Sequence, residues 1–183
     1  MSRIATPASI SHAPEGSHSL LKAVEGSLGS VPNLFRLVAN SPVTLEGMLG
    51  MNGALAKGSL NAATRERIAL AIANYNGCSY CNSAHTYLAK NFAKLDESEI
   101  EANRNGRSTD AKADAAVQFA LKIVKERGRI TNGDIAAVRL VGFSDAELVE
   151  IVGHVAYNIL TNYLNEVFGT EIDFPVVEAA RAA

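Results

Sequence analysis

Apolar residues recur at helical spacing along almost the whole chain, and short polar or glycine-bearing breaks divide them into successive helices. The clearest stripe is Ala116, Phe119, Ala120, Ile123 and Val124, within a helix predicted from about Asp110 to Glu126 and closed by Gly128. A longer helix is predicted from Ser144 to Phe168. Ser144 and Glu147 form a capping box at its start, and Leu148, Ile151, Val152, Val155 and Ile159 mark it as a core element. Earlier in the chain an amphipathic segment runs from Ser19 to Gly26. Pro32 and Pro42 each fit the first turn of a helix, the second behind Ser41 as N-cap and running to about Lys57, where Gly58 stops it. Asn61 to Thr64 introduces a helix that ends at Asn74, Asn76 and Gly77, and Cys78 opens the next, which ends near Asn91. Asp96 and Glu99 predict another capping box, for a short helix ended by Asn105 and Gly106, and Thr131 to Val141 forms a further helix. No alternating apolar and polar run of strand length occurs, so the expected fold class is all-α. Residues 1–18 are rich in Ser, Ala, Pro and His without apolar period. They are expected to form a mobile arm, or one lying on a neighbour, ahead of a single helical domain over residues 19–183.

With 183 residues, 48% of them hydrophobic and 20% charged, the chain suits one domain with a substantial core. Its net charge of −2 gives no electrostatic reason to expect nucleic acid or an anionic membrane as partner. The apolar run Ile68–Ala73 is far too short to span a bilayer, and no basic and then hydrophobic leader opens the sequence. Both cysteines lie in one CxxC, which fits a reducing compartment, and a cytoplasmic location is expected.

Candidate chemistry concentrates between Arg65 and Lys90. Cys81 and His85, four residues apart, share a helix face about 6 Å apart along the axis, within reach of a thiol–imidazole hydrogen bond. Cys78 and Cys81 can close a disulfide with little backbone movement, and the positive end of the helix lowers thiol pKa there. If the two helices pack antiparallel about Gly77, Glu66 lies about 16 Å back along one and His85 about 12 Å forward along the other. That offset allows a direct contact after a tilt, or one bridging water. Ala62, Ala69, Leu70 and Ala73 surround Glu66, so its carboxylate needs a partner.

Glu66, eleven residues, Cys78, two residues, Cys81, three residues and His85 together resemble the motif of the alkyl hydroperoxidase D-like branch of the carboxymuconolactone decarboxylase family. The resemblance extends upstream through Val31 to Pro42 and downstream to the helix holding His154 and Asn158, covering roughly residues 30 to 170. It implies an all-helical alkyl hydroperoxidase D-like domain with the CxxC at a helix N-terminus, assembly as trimers or hexamers, and thiol-dependent reduction of a hydroperoxide, with no cofactor and no metal. By that resemblance Cys81 is the peroxidatic thiolate and His85 takes its proton. Glu66 orients and charge-balances His85, Cys78 closes the disulfide, and an external thiol reductant reopens it. Cys78 is about 10 Å from His85 along the axis, which favours Cys81, although the helix dipole favours Cys78. One position departs from the pattern. Where the best-known members carry a second His just before the second cysteine, this chain has Tyr80.

Other readings compete at several positions. A structural zinc site needs four ligands, and the remaining histidines lie in the arm (His12, His18) or about seventy residues away (His154). Core packing alone would leave the polar run Asn74–Ser83 unexplained, and Glu66 alone could serve only its helix dipole. His154 with Glu147, Glu150, Asn158, Thr161, Asn162 and Asn165 forms a polar stripe of the kind that usually faces solvent or a subunit. Tyr80, His154 and Asn158 are kept as candidate relay or pocket positions. Gly128–Val152 resembles a helix-turn-helix, but Asp145, Glu147 and Glu150 have the wrong sign for DNA. A thiol–disulfide exchange or redox-sensing protein without peroxidase turnover is the alternative function.

Overall fold

Short polar side chains start most of the helices. In the computed structural model, which describes residues 2–180, Ser41, Asn61, Asp96, Asp110, Thr131 and Ser144 each accept a hydrogen bond from the backbone N–H three residues on. The elements are α1 (His18–Leu28), α2 (Asn33–Val38), α3 (Pro42–Leu55), α4 (Ala62–Tyr75), α5 (Ser79–Asn91), α6 (Glu97–Arg104), α7 (Ala111–Lys125), α8 (Asn132–Leu140) and α9 (Asp145–Phe168). Two 3-10 turns precede α1, and there is no strand among the described residues. The protein is all-α, and among the described residues no helix is long and apolar enough to cross a membrane. The expected helices are present with ends shifted by a few residues, and Pro32 stands as N-cap of α2 rather than inside it.

Helix α4 is the centre of the fold. Every residue from Ile68 to Ala73 is buried, which an amphipathic surface helix would not allow, and α5, α6, α7 and α9 all pack against it. Ile68 and Ile72 meet Ala116, Phe119 and Ala120 of α7 and Leu148, Ile151 and Val155 of α9 in one core cluster. Ala73 joins a second, with Cys78, Tyr80 and Cys81 against Leu21, Leu37, Leu45 and Met48. The CxxC therefore sits inside a core, at the junction of α4 and α5.

Three expectations change. Residues 1–18 were expected to form a mobile arm or one lying on a neighbour, and the described part of that segment makes hydrogen bonds to the chain's own body. The Arg3 guanidinium donates to the carbonyls of Glu166 and Val167 at 2.7 and 2.6 Å, at the C-terminal end of α9 where carbonyls lack helical partners. Ser17 is buried and donates to the Ala39 carbonyl at 2.8 Å, and Arg36 reaches the Ala8 carbonyl at 3.0 Å. The arm as expected began at Met1 and the domain ended at Ala183; Met1 and residues 181–183 lie outside the described residues. Gly58 does not cap α3 in a left-handed conformation. It matters because a Cβ there would lie 2.6 Å from the Glu150 carboxylate, which approaches to accept hydrogen bonds from Ser59 N and Leu60 N, each at 2.9 Å, and so pins α9 to the approach to α4.

The third change is at Asp96 and Glu99, which form only half of a capping box. Glu99 turns inward and is 4% exposed. It accepts from Arg67 Nε at 2.6 Å, Ser108 Oγ at 2.6 Å, Thr109 N at 2.7 Å, Thr109 Oγ1 at 2.5 Å and Asn103 Nδ2 at 2.9 Å. Burial pushes its pKa up, but the hydrogen bonds from Ser108, Thr109, Asn103 and Arg67 outweigh it and hold the carboxyl well below its ordinary 4.5. Glu99→Ala leaves the Arg67 guanidinium without its buried partner. We expect a loss of about 3 kcal/mol in urea unfolding. The unfolded carboxyl takes up a proton near pH 4.5 while the native one resists, so this contribution is present above that pH and fades as pH falls below it; Glu99→Ala should flatten the acid limb.

Candidate active site

The turn between α4 and α5 is made by Asn76, the C-cap of α4, and Gly77, whose φ of 73° is the left-handed conformation that glycine adopts without a Cβ penalty. This reversal brings Cys78 to the N-cap of α5, where its Sγ accepts from the Cys81 backbone N–H at 3.2 Å. Cys78 and Cys81 are joined by a disulfide, with Cα atoms 5.3 Å apart. Both are buried, at 0% and 3% exposure. Free thiols here would be almost sealed from bulk water.

The same antiparallel packing brings Glu66 of α4 to His85 of α5. Glu66 Oε2 lies 2.8 Å from His85 Nδ1, the direct contact of the two arrangements the spacing allowed, and both side chains are about four-fifths buried. With Nδ1–H donated to the carboxylate, Nε2 is left as the acceptor. No hydrogen bond joins His85 to Cys81. The partner that Cys81 Sγ does have is Asn165 Nδ2 of α9, at 3.3 Å.

This contact belongs to a larger correction. The polar stripe of α9 was expected to face solvent or a subunit, yet His154, Asn158, Thr161, Asn162 and Asn165 are all buried, while Val149, Val152, Tyr163 and Val167 of the same helix are exposed. The physical reason is that α9 turns its polar face to the junction of α4 and α5. There, Asn162 Oδ1 accepts from Asn76 Nδ2 at 2.9 Å and Asn165 reaches the sulfur. Asn158 donates to the His154 carbonyl at 2.8 Å. Buried polar groups need partners, and the pairing here is partial: His154 Nε2, Asn158 Oδ1, Asn162 Nδ2 and Asn165 Oδ1 are buried without a hydrogen-bond partner among the described residues. Asn165 was not singled out from the sequence, although it lies three residues beyond Asn162 on the same face as His154 and Asn158.

His154 stands at the far end of this face, within electrostatic reach of Arg65, Glu66 and Glu150. Burial and Arg65 push its pKa below 6.5, against an opposing pull from the two carboxylates, so the imidazole is neutral in the fold. Tyr80 is engaged elsewhere. Its hydroxyl accepts from Leu34 N at 3.1 Å and donates to Asp173 Oδ1 at 2.9 Å, and its ring meets Phe174 edge-on at 5.9 Å. Burial, offset in part by the Leu34 hydrogen bond and reinforced by Asp173, drives its phenol far above the ordinary value. It ties α5 to α2 and to the segment after α9. That segment also lays Val177 N on Ser83 Oγ at 2.9 Å and Ala179 N on Ser79 Oγ at 3.1 Å, covering the first turns of α5. His12 and His18 take no part in the site: His12 bonds Ser9 and His18 the Ala13 carbonyl.

Residues 42–126, which include Glu66, both cysteines and His85, match the model of the carboxymuconolactone decarboxylase family. Among solved structures, the chain is similar to an alkylhydroperoxidase AhpD core, a peroxidase-related protein from Ralstonia eutropha JMP134. The identity is 25% over 94% of this chain and 92% of that one, with a TM-score of 0.85. A peroxidase-related protein from Silicibacter sp. TM1040 is 22% identical over 93% of this chain and 91% of its own, with a TM-score of 0.81. The debrominase Bmp8, in complex with 2,3,4-tribromopyrrole, is 19% identical over 94% of both chains, with a TM-score of 0.78. The last two show a shared fold. No curated protein matches the chain.

The depressed pKa of His154 has a measurable consequence. An unfolded chain binds a proton there near pH 6.5 and the native one only at lower pH, so stability is complete above that value and declines as pH falls through it. We expect His154→Gln to remove this part of the decline, read as denaturation midpoints at about pH 7.5 and about pH 5.5.

Proposed function

We propose that this chain, whose residues 42–126 match the carboxymuconolactone decarboxylase family and whose motif resembles the alkyl hydroperoxidase D-like branch, is a thiol-dependent peroxidase that cycles its CxxC between dithiol and disulfide. The observation that carries the reading is the Cys78–Cys81 disulfide at the start of α5 with the Glu66–His85 pair one turn beyond it. The peroxidase-related character of the Ralstonia eutropha structure supports it.

In the reduced state the Cys81 thiol gives its proton to the His85 side, with Glu66 holding Nδ1 and balancing the imidazolium. The Cys81 thiolate attacks the outer oxygen of a hydroperoxide. An S–O bond forms, the O–O bond breaks, and the alkoxide leaves with the proton stored on His85. Sulfur has lost two electrons and the peroxide has become an alcohol. Cys78 then displaces hydroxide from the Cys81 sulfenic acid, giving water and the disulfide. An external dithiol reduces that disulfide and is itself oxidised. Tyr80 enters none of these steps, because both hydrogen-bonding directions of its hydroxyl are taken by Leu34 and Asp173. The homo-oligomer implied by the family resemblance finds support in the exposed apolar side chains Val149, Val152, Tyr163 and Val167 along α9.

The test is peroxide consumption under excess dithiothreitol. We expect multiple turnovers in the wild type, none in Cys81→Ser, and accumulation of sulfenic acid in Cys78→Ser. Glu66→Gln should lower kcat/KM about 100-fold, in line with the loss of a general-base partner. One equivalent of peroxide consumed per subunit, followed by arrest despite the dithiol, would favour the redox-sensing alternative. Wild-type thiols that titrate freely and consume no peroxide would remove the peroxidase reading.

A further inference from the structure

We propose that Asn165 is a catalytic residue of this site: its side-chain amide donates to Cys81 Sγ and selects that sulfur, rather than Cys78, as the thiolate. The proposal rests on the reading of Cys81 as the attacking sulfur and adds the group that makes it one.

The contact is built from buried parts. Asn165 is 2% exposed and Cys81 3%, and Nδ2 stands 3.3 Å from Sγ across 84 positions of sequence. A disulfide sulfur carries no hydrogen and can only accept, so the amide presents its N–H₂ to it; a thiolate makes the same demand more strongly. In water such a donor would be replaced by solvent at no loss. In this enclosed position no solvent stands in for it, and the interaction strengthens as charge develops on sulfur.

The stretch of α9 that carries Asn165 is also anchored, although Asn165 Oδ1 is itself buried without a hydrogen-bond partner among the described residues. Three residues earlier on the same face, Asn162 bonds Asn76 of the α4–α5 turn at 2.9 Å. The helix that carries the donor is thereby fixed to the turn that leads into α5, the helix that carries the acceptor. The competing sulfur has a donor of its own, the Cys81 backbone N–H at 3.2 Å from Cys78 Sγ, together with the positive end of α5. With His85 committed through Nδ1 to Glu66, Asn165 is the group in direct contact with Cys81 Sγ that offsets this advantage.

The experiment measures the pH titration of ultraviolet thiolate absorbance in single-thiol proteins, each taken as the difference from the double Cys→Ser variant. Cys78→Ser isolates Cys81, and serine preserves the N-cap of α5. In that background we expect Asn165→Ala to raise the apparent pKa of Cys81 by about one to two units, the worth of a hydrogen bond to a charged group. Asn165→Asp, of nearly the same size, should raise it at least as far, and it carries the test if the alanine variant does not fold. In the Cys81→Ser background the same substitutions should leave the Cys78 titration in place. A Cys81 titration that does not move in Asn165→Asp, or a Cys78 titration that moves equally, would overturn the proposal. Because this readout needs no peroxide, a wild type without turnover in which Asn165 still shifts Cys81 would sink the peroxidase reading alone.

Discussion

The enclosure of α4 from Ile68 to Ala73 is the constraint on which the rest of this fold depends. A helix buried from Ile68 to Ala73 on every side has to be small enough for four neighbours to approach it, which is why alanines alternate with Ile and Leu along it. Enclosure also decides what its polar residues can do. Glu66 and Arg67, one position apart, point to different neighbours, and each finds a charged or polar partner there: His85 on α5 for one, Glu99 on α6 for the other. The first pair belongs to the site. The second locks the wall opposite, joining α4, α6 and the loop before α7 through a single carboxylate.

Helix α9 shows how a local pattern can be read correctly and placed the wrong way round. Its polar stripe was visible in the sequence, but polarity alone does not say whether a face meets water or a buried site. Here it meets the site, and the apolar residues on the opposite side are left exposed. The inversion is possible because the junction of α4 and α5 supplies polar partners, the Asn76 amide and the Cys81 sulfur, that a plain core would lack.

Much of the fold and the nucleus of the site were legible because they are encoded locally. N-caps, the Ser144–Glu147 box, the glycine at position 77 and the CxxC each announce themselves within a few residues. The Glu66–His85 contact was legible too, since one turn and two helical rises determine it. What escaped depends on distant pairings without periodic signal. Asp96 and Glu99 match a capping box in spacing, yet Glu99 has stronger donors in Arg67, Ser108 and Thr109. Nothing near Arg3 signals that it will reach the end of α9, and nothing near Tyr80 signals Asp173, 93 residues away. Asn165 lies between these cases: its face was recognised, its target was not.

A CxxC pair at a helix start poses a problem of asymmetry. The backbone treats the first cysteine as the N-cap, so the helix gives Cys78 a donor and a favourable potential without assistance from other elements. If nothing opposed this, the first sulfur would ionise in preference to the second, and the cysteine nearer the imidazole in sequence would be left as the resolving thiol. The fold opposes it from outside the helix. Glu66 is hydrogen-bonded to His85, one turn beyond Cys81 on α5, and α9 brings an amide to Cys81 Sγ. Glu66 lies on α4 and the amide on α9, which packs against α4, so under the proposed mechanism the preference between two sulfurs three residues apart is decided by tertiary packing. The helix alone would decide it the other way.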